Sequence, residues 1–156
     1  METIMGVSAL YEVAEVELIS KSKVKASKRP KITCAKDAYK ILLETWNENK
    51  MEFVERFKVL FLNRDNRVLG IFEVSAGGVS GTVADPKVIF VAALKANCSS
   101  IVICHNHPSG NLTPSKQDEA LTKKIKEAGL FLDLHLLDHL IISSEGYYSF
   151  ADEGLL

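Results

Sequence analysis

The chain has 156 residues, of which 47% are hydrophobic and 25% are charged. This length and balance predict one globular domain with its own core, and they exclude a disordered or fibrous chain. The net charge of -1 excludes a general electrostatic attraction to nucleic acid or anionic lipid, so either partner would need a local basic patch.

Neither a membrane span nor a secretion signal is visible. No apolar run is long enough to cross a bilayer, and residues 1–16 lack the basic start and continuous apolar stretch of a signal peptide. We therefore expect a cytoplasmic protein without a membrane partner. The three cysteines, Cys34, Cys98 and Cys104, form no Cys-x-x-Cys pair, which argues against a disulfide framework or a thiolate zinc site.

The first third of the chain predicts a strand, a loop and a helix. "YEVAEVELIS" at residues 11–20 is rich in β-branched residues, which favours a strand. Residues 21–31 contain six basic side chains and no acidic one, which is typical of an exposed loop. From residue 33 to about residue 49, apolar residues recur at helical spacing behind Thr33, a candidate N-cap, and predict an amphipathic helix.

The middle of the chain predicts a hairpin, a helix and a buried strand. "ERFKVLFLN", the turn "RDN" and "RVLGIFEVS" form the hairpin, with Phe57, Val59 and Phe61 on one side of its first strand. Asp85 as N-cap and Pro86 at the first helical position begin the helix. "SSIVICH" is almost wholly apolar, as in strands that are covered on both faces.

The last third predicts another helix and two strands. "TPSKQDEALTKKIKEAG" has Thr113 as N-cap candidate and Gly129 as stop. "FLDLHLLDHLIIS" is a strand region with a turn or bulge, and "YYSFADEGLL" is a terminal strand or arm. Because His135, Asp138 and His139 lie in an apolar strand context, we expect hydrogen-bonded structural roles for them.

Strands that alternate with helices of this length predict a layered α/β domain with a mixed sheet. We place the start of this domain at the first predicted helix. Residues 1–32 then form an N-terminal strand and basic loop, and residues 33–156 form the main domain.

The stretch "CHNHPSGNLTPSKQD", residues 104–118, concentrates the chemistry of the chain. His105 and His107 are two residues apart after an apolar strand, so both imidazoles project from one face if the extended conformation continues. Ser115 and Asp118 are three apart in the first turn of the next helix and also share a face. The two pairs meet if the loop between them folds back.

Two neutral imidazoles and one carboxylate suit Zn²⁺, and three protein ligands leave a fourth tetrahedral position for water, as in catalytic zinc sites. Because zinc lowers the pKa of a bound water toward neutrality, hydrolysis is the natural chemistry. Ser115 would hydrogen-bond a developing oxyanion without serving as nucleophile. A ferrous or manganese ion is an alternative. The competing interpretation makes the histidines ordinary loop residues, and gives Ser115 and Asp118 only a capping role.

The pattern of His-Asn-His, seven residues, then Ser-x-x-Asp resembles the JAMM motif of MPN-domain metalloproteases. "HNHPSGNLTPSKQD" followed by "DHLII" resembles the bacterial RadC-like branch, over about residues 33 to 156. The resemblance implies a three-layer α/β/α sandwich related to the cytidine deaminase fold. It also implies zinc held by His105, His107 and Asp118 with Ser115 assisting, in a metallopeptidase or isopeptidase that acts on a protein or peptide.

The family also uses an upstream glutamate as general base, at the start of a strand before a hairpin. The candidates here are Glu44, Glu48, Glu52 and Glu55, of which the first two lie on a predicted helix. "ERFKVLFLN" resembles the Glu-x-Phe-x-Val-Leu stretch of the family, so we expect Glu55 to be the base, with Glu52 as the alternative.

Two other functions compete with peptide hydrolysis. A nucleobase deaminase needs a His-x-Glu and a Pro-Cys-x-x-Cys, and both are absent from the sequence. A DNA-repair or recombination accessory protein would bind nucleic acid or a partner without hydrolysis. We rank it second because all five candidate catalytic positions carry chemically competent residues. Residues 1–32 are also too few and too strand-like for the helix-hairpin-helix module of many RadC-like proteins, which weakens the connection to DNA. The loop at residues 21–31 also lacks an aromatic residue for base stacking.

Overall fold

The computed structural model describes residues 13–14, 22–77 and 83–156. The predicted strand at residues 11–20 lies almost wholly outside the described residues, and the domain division at residue 32 stays a prediction. After a short 3-10 helix (Ala26–Lys28), the α-helices and strands in chain order are α1 (Ala35–Thr45), α2 (Glu48–Met51), β1 (Arg56–Leu62), β2 (Val68–Ala76), α3 (Pro86–Lys95), β3 (Ser100–Asn106), α4 (Lys116–Phe131), β4 (His135–Ile142) and β5 (Tyr147–Ser149). None of the described helices is both long and apolar enough to span a bilayer.

The strands form one mixed sheet in the order β2-β1-β3-β4-β5. Strands β3 and β4 run parallel, and the other neighbouring pairs are antiparallel. The predicted β1–β2 hairpin is confirmed. Its turn is closed by the side-chain oxygen of Asn63, which accepts the backbone N–H groups of Asp65 and Arg67 at 3.0 and 2.9 Å.

Helices cover both faces of the sheet and produce two apolar cores. Helix α1 packs on one face, where Leu42 meets Leu60 and Leu140. Helices α3 and α4 pack on the other face through residues such as Ile89 and Ile125. This arrangement confirms the predicted three-layer α/β/α sandwich. Every residue of β3 is buried, as predicted for a strand covered on both faces.

The prediction that Thr33 caps the first helix is wrong. Thr33 donates its N–H and its hydroxyl to Asp37 Oδ2, at 2.9 and 2.6 Å, and the N-cap position belongs to Cys34. The helix also stops at Thr45 rather than near residue 49. Asn47 accepts the backbone N–H of the second residue of α2 and so begins that separate short helix.

The end positions predicted for the helix between Thr113 and Gly129, which corresponds to α4, are also wrong, whereas the start of α3 at Asp85 and Pro86 is confirmed. Ser115, not Thr113, is the N-cap of α4. Gly129 lies inside the helix rather than after it. A Cβ at this position would collide with the carbonyl oxygen of Leu134, so glycine is required by the close approach of the segment that leads into β4.

Asp138 fastens the last strand to the sheet. Its carboxylate accepts the Ser149 hydroxyl at 2.6 Å, the Ala151 N–H at 3.0 Å and the His139 N–H at 2.8 Å. Burial raises the pKa of this carboxyl despite those bonds. Asp138 therefore has the structural role that its apolar context predicts.

Candidate metal centre

His105, His107 and Asp118 meet at the carboxyl end of β3. The Nε2 atoms of the two histidines are 3.0 Å apart, because His105 near the end of β3 and His107 directly after it point to the face that α4 covers. From the first turn of α4, Asp118 Oδ1 lies 3.2 Å from His105 Nε2, and Oδ2 lies 3.6 Å from His107 Nε2. The structure thus brings the three predicted ligands together.

Their spacing fits a tetrahedral metal. With metal–ligand bonds of about 2.0–2.1 Å, two ligand atoms of a tetrahedral zinc site lie about 3.3–3.4 Å apart. The observed separations of 3.0, 3.2 and 3.6 Å lie on both sides of this value, with Oδ1 of Asp118 toward His105 and Oδ2 toward His107. Two imidazoles and a carboxylate are also donors that suit a divalent transition metal. The site can therefore hold such an ion.

The loop between His107 and α4 folds back through its own hydrogen bonds. Gly110, with a φ of 77°, donates its N–H to the His107 carbonyl oxygen at 2.9 Å and closes a turn. His107 Nδ1 lies 2.6 Å from the carbonyl oxygen of Asn111. Because a carbonyl only accepts, the neutral ring carries its proton on Nδ1, and the Nε2 lone pair faces Asp118.

Ser115 and Asp118 form a capping box at the start of α4. The Ser115 hydroxyl accepts the Asp118 N–H at 3.1 Å, and Asp118 Oδ2 accepts the Ser115 N–H at 2.7 Å. The capping role considered from the sequence is therefore present. It does not compete with metal binding, because Asp118 Oδ1 still faces His105.

The electrostatics of the site favour a positive charge. Burial opposes ionisation of Asp118, but its contacts with the imidazoles of His105 and His107 outweigh burial and hold the pKa of this carboxyl well below its usual range. The Asp118 carboxylate in turn raises the pKa of His107 against the effect of burial, and the nearby charge of Glu55 adds to the rise. A proton or a metal cation satisfies this arrangement.

Comparison with known proteins shows which family the chain resembles. Residues 32–155 match the model of the RadC-like JAB domain. The chain belongs to the RadC-like JAB domain family. This RadC-like domain is 46% identical over 128 residues to a UPF0758 protein of Flavobacterium johnsoniae, covering 82% of the chain and 55% of that relative.

Two clostridial relatives also match most of the chain, at somewhat lower identity. The RadC-like domain is 41% identical over 126 residues to a UPF0758 protein of Clostridium beijerinckii, covering 81% of the chain and 54% of that protein. It is 35% identical over 154 residues to one from Clostridium botulinum, covering 97% of the chain and 66% of the relative. The chain thus spans just over half the length of the first relatives it matches.

In the RadC-like domain, Glu55 lies directly before β1, at the strand entry that the sequence predicted. It is half-buried, and its negative charge acts on His107. Glu52 is exposed at the end of α2, and Glu44 and Glu48 are exposed on helices. This placement favours Glu55 over Glu52 as the candidate base, and the role itself stays a prediction.

Asn106, between the two histidines, is a positioning residue that the sequence analysis missed. It is fully buried and faces away from Asp118, toward α2. Its Nδ2 donates to the carbonyl oxygens of Met51 and Val54 at 2.7 and 2.9 Å, and its Oδ1 accepts the Arg56 N–H at 2.8 Å. These bonds fasten the segment around Glu55 to β3. An amide side chain at the end of a mostly apolar strand was the available signal.

Proposed function

We propose that the RadC-like domain is a zinc-dependent hydrolase that cleaves an amide bond in a protein or peptide. The observation that carries this proposal is the convergence of two imidazole nitrogens and one carboxylate at the spacing of a tetrahedral site. Three protein ligands leave one position for water, which distinguishes catalytic from structural zinc sites. Membership of a JAB-domain family supports the choice of reaction.

His105, His107 and Asp118 would hold the ion, which supplies a Lewis acid that lowers the pKa of a bound water toward neutrality. Glu55 takes a proton from the attacking water and passes it to the leaving amine. Its position at the entry of β1, within electrostatic reach of His107, supports this role. The Ser115 hydroxyl donates a hydrogen bond to the oxyanion of the tetrahedral intermediate, while its oxygen accepts the Asp118 N–H.

A matched pair of glutamate variants tests the proposal. We expect the wild-type protein to bind one equivalent of zinc and to cleave members of a proteome-derived peptide library, detected by mass spectrometry of new amino termini. Glu55→Gln should keep the zinc and lose turnover by about 10²–10⁴-fold or more, as expected for a general base. The control Glu52→Gln should keep both properties.

Three outcomes would contradict the proposal or its parts. A wild-type protein that binds no zinc would remove the metal centre. Loss of zinc in Glu55→Gln would contradict the assignment of Glu55 as base. Salt-dependent DNA binding by a zinc-free wild-type protein would favour the accessory-protein interpretation, with the exposed lysines Lys23, Lys25 and Lys28 as the first contacts to neutralise.

A further inference from the structure

A chain of hydrogen bonds runs behind His105, on the side away from the metal ligands. His105 Nδ1 lies 2.9 Å from His139 Nε2, and His139 Nδ1 lies 2.6 Å from Thr122 Oγ1. The Thr122 hydroxyl donates to the main-chain carbonyl oxygen of Asp118 at 2.6 Å. The exposed fractions of His105, His139 and Thr122 are 1%, 0% and 2%, so this series of hydrogen bonds is shielded from solvent.

With neutral rings, only one placement of protons satisfies these contacts. The main-chain carbonyl oxygen of Asp118 can only accept, so Thr122 donates its single hydroxyl proton to that hydrogen bond. His139 Nδ1 must then carry its own proton and donate it to Thr122 Oγ1. His139 Nε2 is left as a lone pair, which accepts the proton on His105 Nδ1. His105 Nε2 is therefore a lone pair as well, and it faces Asp118.

Aromatic rings hold both imidazoles in this orientation. Phe57 lies nearly parallel to His105, with 5.8 Å between ring centroids and 6° between ring planes. Phe150 lies nearly parallel to His139, at 4.6 Å and 10°. Because the rings are stacked and buried, a flip that would exchange the two nitrogens of either imidazole is opposed by packing.

We propose that Thr122 and His139 are positioning residues that set the tautomer of His105 and present its Nε2 lone pair to the metal. This inference rests on the proposed metal-dependent function. One turn of α4 then has two tasks, because the side chain of Asp118 is a ligand while its carbonyl oxygen starts the chain that orients His105. Partners of this kind change metal affinity by about 10–100-fold in known metal sites.

The test replaces the hydroxyl of Thr122 and follows tautomer and zinc affinity rather than activity. Thr122→Val keeps the shape of the side chain and removes the acceptor of His139, whereas Thr122→Ser restores a hydroxyl. Ile125→Val, in the same helix and core, controls for loss of stability. Histidine nitrogen NMR of the metal-free protein reports the tautomers, and competition with a chelating dye reports the affinity for zinc alone.

In the wild type we expect His105 and His139 to carry their protons on Nδ1. Thr122→Val should move the His139 proton to Nε2 and weaken zinc binding about 10–100-fold, and Thr122→Ser should restore both properties. Ile125→Val should bind zinc like the wild type.

A wild-type His139 protonated on Nε2 would overturn the inference without any variant. So would a Thr122→Val protein with unchanged zinc affinity, or an equal loss of affinity in Ile125→Val. If the wild type binds no zinc, the proposed hydrolase fails, while the NMR spectra still decide whether Thr122 and His139 set the tautomer of His105.

Discussion

At the scale of single residues, an ionised Asp118 faces His107, and a metal would replace the proton that His107 carries. Contacts with the imidazoles of His105 and His107 hold the pKa of Asp118 well below its usual range in spite of burial, and the Asp118 carboxylate raises the pKa of His107. The metal-free site therefore keeps a proton on His107 to a higher pH than an ordinary histidine would. A metal must displace this proton, because it binds the neutral imidazole.

We expect zinc affinity to fall as the pH drops through the raised pKa of His107. Below that pKa one proton competes with the metal, so the affinity should weaken by about tenfold per pH unit. Asp118 adds no dependence in this range, because its depressed pKa keeps it ionised. Chelator competition from about pH 5 to about pH 9, corrected for the protonation of the chelator, spans the ordinary histidine range on both sides. A constant affinity across that interval would contradict the proton on His107.

At the scale of elements, the end of β3 directs functional side chains to both faces of the sheet. Alternation along the strand directs His105 toward α4 and Asn106 toward α2, and a shift of one residue would exchange them. Asn106 thereby ties the segment before β1 to the same strand that carries the histidines. Together with the pairing of Phe57 and His105 between β1 and β3, this side chain sets the position of Glu55 relative to the candidate metal ligands.

Asn106→Ala should loosen the Glu55 segment while leaving the metal ligands in place. The change leaves the carbonyl oxygens of Met51 and Val54 without their donor, which costs about 1–3 kcal/mol for each buried group. We expect a lower free energy of unfolding in urea and reduced turnover, with zinc affinity close to wild type. Asn49→Ala, at an exposed position of α2, is the control. Unchanged stability, or a loss confined to zinc binding, would show that Asn106 has a different role.

At the scale of the whole molecule, the site lies where the central strand of the sheet meets a helix N-terminus. Strand β3 is third in the order of five and is buried on both faces, so its end is held by both cores. Helix α4 connects β3 to the parallel strand β4 and starts at the carboxyl end of β3. Sites in α/β sheets form at this end of the strands, because loops and helix starts gather there.

Zinc should stabilise the folded domain, since its ligands come from two elements that only folding brings together. A free zinc concentration about 100 times the dissociation constant adds about 2.7 kcal/mol to the free energy of unfolding. For a domain of this size that corresponds to a rise in melting temperature of about 5–10 °C. Differential scanning calorimetry with zinc and then with excess chelator measures the shift. Asp118→Asn should abolish it, and an equal shift in that variant would place the zinc elsewhere.

Helix and strand prediction succeeded where one strong local signal acted alone. The pair Asp85 and Pro86 began α3, and the alternating residues of β1 formed the first strand of a hairpin. It failed where several polar residues compete for one helix end. Thr33 donates to Asp37 instead of capping, and Ser115 takes the cap that Thr113 also offered. Which oxygen accepts depends on backbone angles that residue types do not specify.

By itself, the sequence determined the chemical types of the candidate site and their local faces. Strand and helix periodicity are short-range properties, so a spacing of two residues paired His105 with His107 and a spacing of three paired Ser115 with Asp118. Only the tertiary structure decided how these pairs meet and what orients them. The bonds involved join residues 17, 34 and 50 positions apart, as in Thr122 with His139, His105 with His139, and Arg56 with Asn106. Such contacts exist only once helices have packed on both faces of the sheet, because packing sets the distances between elements that no local pattern encodes.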